Sequence, residues 1–208
     1  VDTQADLRRY SPPLDYAEQF FDEDQVKETR TRYPDHCLIY GTHIGPFTAG
    51  YMAMGFERFF LRLHDDRAFL HRLFDARTDW AIAVLQRAVA LGAEIIVLGD
   101  DAGSTHGPLI PPDLWRELVL PYHRRIVAAL DVPVIWHSDG DIAALLPMAI
   151  EAGFAGVHGL DPIAGTDLDG ISAAFGRDLA LIGNVDVRVL CPGPRASARD
   201  LTAVRAEV

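Results

Sequence analysis

The feature that most constrains this chain is a repeated alternation: a short apolar run, a polar loop, then an amphipathic helical stretch. Five runs rich in β-branched residues recur, Cys37-Leu38-Ile39-Tyr40, residues 94–98, residues 132–136, residues 156–160 and residues 179–183. Each is apolar almost throughout rather than alternating, which means burial on both faces, as in a parallel sheet covered by helices. Helical spacing fills the gaps. Residues 15–33 precede the first run. Asp65 or Asp66 caps a long helix reaching about Leu91, where Gly92 stops it. Pro111-Pro112-Asp113 opens a helix to about Leu130, Gly140 opens one closed by Gly153, Asp167 opens one closed by Gly176, and a last begins near Ser197. The class is α/β.

A doubly wound sheet and a (β/α)8 barrel both fit this alternation. No Gly-x-Gly-x-x-Gly follows the first strand, so a dinucleotide fold has no positive signal. Nearly every strand instead ends in polar residues and glycine, and in barrels the active site is built from those loops. The pattern therefore favours a TIM barrel, with residues 1–208 as one domain. Hydrophobic residues make up 49% and charged residues 24%, enough for a large core and against disorder. The net charge of −11 argues against nucleic-acid or anionic-membrane surfaces, which want a basic face, but leaves room for a locally cationic site. No apolar run is long enough to span a membrane, and no leader pattern opens the chain. Cys37 and Cys191 form no disulfide framework, which reads as a reducing cytoplasm.

Several loops resemble segments of the uroporphyrinogen decarboxylase superfamily. They are Gly45-Pro46-Phe47-Thr48 with Tyr51-Met52, Gly99-Asp100-Asp101-Ala102-Gly103 with Gly107-Pro108-Leu109-Ile110-Pro111-Pro112 and Leu120-Pro121-Tyr122, and Gly183-Asn184-Val185-Asp186. They run in that superfamily's order across roughly residues 36–190. The resemblance implies a barrel of which this chain shows about five of eight strands, the third to the seventh. A fragment of that kind leaves two sheet edges open, so a covering partner or low solubility is expected. The superfamily also holds cobalamin-dependent methyltransferases, some with His-x-Cys at the end of the fifth strand and a bound zinc that activates a thiol. Here those positions read His137-Ser138-Asp139, so cysteine is replaced by a harder ligand.

His137, closing a buried strand before a small-residue turn, is the leading candidate for a metal ligand or proton shuttle, with Asp139 as its partner or co-ligand. Asp141 is expected to cap the following helix. Asp100 and Asp101 are adjacent and point apart, so at most one faces the cavity; Asp101 matches the superfamily motif and is assigned to catalysis, with Tyr51 as a hydrogen-bond donor. His43, Phe47, His158, Asp161, Asn184 and Asp186 are expected to line the substrate site. His106 suits the mouth or plain surface, and Cys191 a loop thiol. Two chemistries remain open. One is methyl transfer to or from a corrinoid on a partner protein, with His137 and Asp139, and zinc in some forms, at the centre. The other is cofactor-free decarboxylation of uroporphyrinogen. A non-catalytic binding barrel is the third reading, and a homodimer is left open.

Overall fold

The computed structural model describes residues 3–10, 21–186 and 188. Helices α1 (Gln4–Tyr10) and α2 (Glu23–Arg32) precede strand β1 (Ile39–Thr42). Then come α3 (Pro46–Met54), α4 (Phe56–Asp65), α5 (Arg67–Ala90), β2 (Ile95–Gly99), a hairpin of β3 (Gly103–Ser104) and β4 (Gly107–Pro108), α6 (Pro112–Leu118) and α7 (Leu120–Ala128). The chain continues through β5 (Val134–Ser138), α8 (Leu146–Ala152), β6 (Gly156–Gly159), α9 (Leu168–Phe175) and β7 (Ala180–Gly183). The main sheet is parallel throughout, in the order β1-β2-β5-β6-β7. This is the arrangement of a partial TIM barrel.

Each of the five apolar runs is a strand, its ends within two residues of the sequence bounds. The register sorts their side chains. Leu98, Trp136 and Val157 pair along one row and are fully buried under the helices. One residue further on, Gly99, His137, His158 and Ile182 pair along the next row. Because side chains alternate along a strand, that row faces away from the helices. The two edges of the sheet remain visible: Ile39 on β1 is 54% exposed and Ile182 on β7 is 43% exposed.

The helix layer is anchored by α5, whose Phe69, Leu70, Leu73, Phe74, Ala81, Val84 and Leu85 recur at helical spacing and are buried. A second aromatic block links the helices to the sheet. Trp115 of α6 stacks on Trp136 of β5, and Trp136 stacks in turn on Phe154.

Four helical expectations need correction. Of the helix expected over residues 15–33, the described part is α2 from Glu23, capped by Asp22 accepting from Gln25 N; the stretch from Asp15 to residue 20 lies outside the described residues, as do the helix expected from Ser197 and Cys191. The helix expected from Pro112 to Leu130 is two, broken at Val119, because Pro121 has no N–H to continue the ladder. Residues 140–142 are not helical, since Asp141 N donates to Ser104 O across loops; a 3-10 turn at Ala143–Leu145 leads into α8. Between β1 and α5, where the sequence reads as a motif-bearing loop, stand two helices joined at Gly55.

Asp66 caps α5 as expected, its carboxylate accepting from Phe69 N at 3.0 Å. Asp66→Ala should lower unfolding free energy by about 1 kcal/mol in chemical denaturation, and Asp66→Asn should keep most of it. Equal losses in both would show that the cap is not what Asp66 contributes.

Candidate active site

The site forms where β1, β2, β5, β6 and β7 end. Its foundation is Asp100, the residue after β2, which is 0% exposed. Helix α3 begins with Pro46, and its next backbone N–H groups have no partner within the helix. Its N-cap position is Gly45, which has no side chain to offer. Asp100 supplies the cap from another strand, accepting from Thr48 N at 2.7 Å and from Phe47 N at 3.4 Å. Glycine at 45 is the geometric cost of this arrangement, because a Cβ there would stand 2.2 Å from the Asp100 side chain.

The next residue turns the other way. Asp101 is half-buried, its N–H held by Thr48 Oγ1 at 2.7 Å. Its Oδ1 accepts from Asp139 N at 3.2 Å and lies 3.9 Å from His137 Nε2. Asp139 Oδ1 is 3.8 Å from the same nitrogen, but its side chain is 77% exposed. The turn carrying Asp139 is stapled down. Ser138 Oγ accepts from Ala102 N and donates to Asp139 O. Gly140 then has φ +77°, and a Cβ on it would meet the Gly103 backbone at 2.6 Å, so the loops after β2 and β5 touch backbone to backbone.

Three imidazoles converge here. The paired register of β5 and β6 sets His137 beside His158, with Nδ1 to Nδ1 at 2.7 Å, so a single hydrogen is shared and one ring donates while the other accepts. His43 meets His137 edge-on, with ring centroids 5.2 Å apart. Ligand atoms of His43, Asp101 and His137 all lie within 4.8 Å of one another. Two ligands on one tetrahedral zinc stand roughly 3.4 Å apart, so closing this set requires side-chain shifts of about 1 Å. His43, Asp101 and His137 together are thus a fuller donor set than the His137–Asp139 pair expected from sequence; Asp139 stands at its rim.

Beside this cluster opens a cleft of about 420 Å³, lined by His137, Asp139, His158, Gly159, Asp161, Gly183 and Val185. Asp161 also caps a 3-10 turn, accepting from Ile163 N. Asn184, at φ +60°, donates its N–H to Gly159 O, and its Oδ1 is buried without a partner among the described residues. Asp186 is tied to Arg188 through the Arg188 guanidinium, and then its backbone N–H, which hold its carboxyl below the usual range.

Other expected residues sit elsewhere. Phe47, expected at the substrate, is fully buried against Phe59, Phe60 and Trp115, and closes the core instead. The Tyr51 ring packs on Phe47 and Phe56, with its hydroxyl donating to Thr48 Oγ1 at 3.4 Å; burial, and then nearby carboxylates, push its pKa up, so it remains a donor. His106 is exposed on the hairpin, and Asp141 accepts from Ala143 N at the start of the 3-10 turn. Sequence reasoning passed over His123, whose Nε2 reaches Asp100 at 2.7 Å from α7; a histidine on a buried helix face was the only signal available.

Burial lowers the His137 pKa below its ordinary value of 6.5, against the pull of Asp139 and Asp101. Below pH 6.5 the unfolded chain therefore binds more protons here than the folded one, and this residue's contribution to stability is lost as pH falls through the folded midpoint. In metal-free protein, NMR titration should show a His137 midpoint below 6.5, moved lower still in Asp139→Asn. A midpoint above 6.5 would contradict the burial of this ring.

The family model described as uroporphyrinogen decarboxylase matches residues 1–205. The methylated-thiol–coenzyme M methyltransferase of Methanosarcina mazei is 32% identical over 168 residues, covering 80% of this chain and 44% of that protein. The uroporphyrinogen decarboxylase of Hydrogenovibrio crunogenus is 30% identical over 207 residues, covering 93% and 56%. The chain spans about half the length of the curated relatives it matches. A solved methyltransferase structure from Methanosarcina mazei superposes with a TM-score of 0.63 at 19% identity, over 89% of this chain and 63% of that one, a likeness of fold.

Proposed function

Because the chain belongs to the uroporphyrinogen decarboxylase family, whose members among its relatives include both decarboxylases and a methyltransferase, we propose that it acts in methyl transfer to or from a corrinoid carrier on a partner protein. The observation that carries this reading is the convergence of His43, Asp101 and His137 from three strand ends into one donor set. Two imidazoles and a carboxylate, with Asp139 at the rim, suit a divalent metal of zinc type with a position left open for substrate. When bound, the metal would act as a Lewis acid that favours the deprotonated form of a ligated acceptor.

The chain's own residues have three tasks. His43, Asp101 and His137 hold the charge. Asp139 and His158, on the cleft side, receive or pass on the proton that the acceptor gives up. The cleft orients the acceptor against the approaching methyl group. The set contains no thiolate, and oxygen and nitrogen donors make a harder site than the His-x-Cys pattern, so less electron density reaches the acceptor.

The charge of the cleft supports this branch over the other. Among the described residues its charged lining is Asp139 and Asp161, and the guanidinium of Arg188 is engaged by Asp186. Such a wall suits neutral or cationic ligands and repels a polycarboxylate such as uroporphyrinogen. Nucleic acid remains an unsuited partner for a chain of net charge −11. No helix among the described residues is long and apolar enough to cross a membrane.

The test uses the full-length protein. Elemental analysis should find about one divalent metal per chain, lost in His137→Ala. Incubation with methylcobalamin and a thiol should give metal-dependent demethylation, abolished in that variant. Formation of coproporphyrinogen from uroporphyrinogen would overturn the methyl-transfer reading. Neither activity would favour a binding role.

A further inference from the structure

We propose that His123 is a positioning residue: by hydrogen-bonding Asp100 it sets the spacing of His43, Asp101 and His137. The inference rests on the reading of those three side chains as a cation site.

His123 lies on α7, on the helix side of the sheet, and is 2% exposed. It touches none of the three donors. Its ring is held edge-on by Trp115, Trp136 and Phe154, so it has little freedom to turn. Its Nε2 meets Asp100 Oδ2 at 2.7 Å. The carboxylate already accepts from Thr48 N and Phe47 N, so the ring nitrogen is the donor.

From Asp100 the links fan out to all three site strands. On the side of β1, Asp100 fastens the start of α3, and Gly45 N donates to Gly99 O, fixing the segment that follows His43. Thr48 Oγ1, held at that helix start, accepts from Asp101 N. On the side of β5, Trp136 Nε1 donates to Asp100 O, and Asp100 N donates to His137 O. Asp100 thus refers three ligand-bearing segments to a common point, α3 through its carboxylate and β5 through its backbone, and His123 supplies the carboxylate's only side-chain donor among the described residues.

Removing that donor leaves a buried carboxylate short of a partner in an aromatic shell, which it relieves by shifting. A shift at Asp100 passes to α3 and Asp101. Direct hydrogen-bond partners of ligands are worth about 10- to 100-fold in metal affinity, and His123, acting one layer further out through Asp100, falls at the low end of that range. A residue that only filled space would be replaced without such loss by a ring of similar volume.

The experiment loads full-length wild type and variants with Co(II), records the d–d absorption, and measures affinity by chelator competition, with denaturation run alongside. His123→Phe keeps the ring and loses the donor; it should bind Co(II) about 10-fold more weakly with an altered spectrum while remaining folded. His123→Gln places an amide N–H near the Nε2 position and should return to within a few fold of wild type. If the phenylalanine variant does not fold, His123→Met, whose flexible thioether fills the same space without a donor, carries the same expectation. Wild-type affinity and spectrum in the donor-less variant would overturn the proposal, as would a glutamine variant as weak as phenylalanine. Absence of Co(II) binding by the wild type would overturn the metal reading and this proposal with it. Binding by the wild type with an indifferent donor-less variant overturns this proposal alone.

Discussion

The site depends on one buried carboxylate capping a helix that starts on a different strand. Asp100 satisfies the free N–H groups at the head of α3, which Gly45 is unable to cap. Ordinary helix capping is local and worth about 1 kcal/mol. Here the cap spans more than fifty residues of chain, so it also determines where α3 sits relative to β2. Its backbone groups do the same for β5 through Trp136 and His137. A barrel rim built from loops would otherwise have more freedom than a metal or a reacting atom tolerates. The apolar shell of Trp115, Trp136 and Phe154 makes this network rigid, because every group in it loses heavily if left unpaired.

Strand register supplies the second constraint. With β2, β5 and β6 in parallel alignment, Trp136 enters the helix-facing core and the following residue, His137, must face the other way beside His158. The core thereby orients the row that faces the cleft. Adjacent Asp100 and Asp101 divide along the same line, one buried under the helices and one at the cleft. The stapled turn of Ser138, Asp139 and Gly140 keeps this row from fraying at its exposed end.

Sequence patterning carried the architecture well for a clear physical reason. Strands buried on both faces write themselves as unbroken apolar runs, and all five are present. Helices interrupted by proline or by tertiary hydrogen bonds were less legible, as Pro121 and Asp141 show. His137 could be singled out because it ends such a run, but its neighbours could not be ranked. The pairing with His158 comes from register, and the pairing with His43 from where β1 ends, neither of which is written in local spacing. Phe47 was misplaced because a motif position says nothing of which way a helix rolls. His123 was invisible for the opposite reason: nothing distinguishes a buried histidine on an amphipathic helix from core filling until its partner is seen.

Among the described residues, the donors that the strand ends bring together are the imidazoles of His43 and His137 and the carboxylate of Asp101. Zinc K-edge absorption fine structure of the metal-loaded, full-length protein tests this donor set most directly. Two imidazoles and a carboxylate from this chain predict nitrogen and oxygen scatterers at about 2.0–2.2 Å, with the outer-shell signature of imidazole. A first shell without imidazole nitrogen would contradict it.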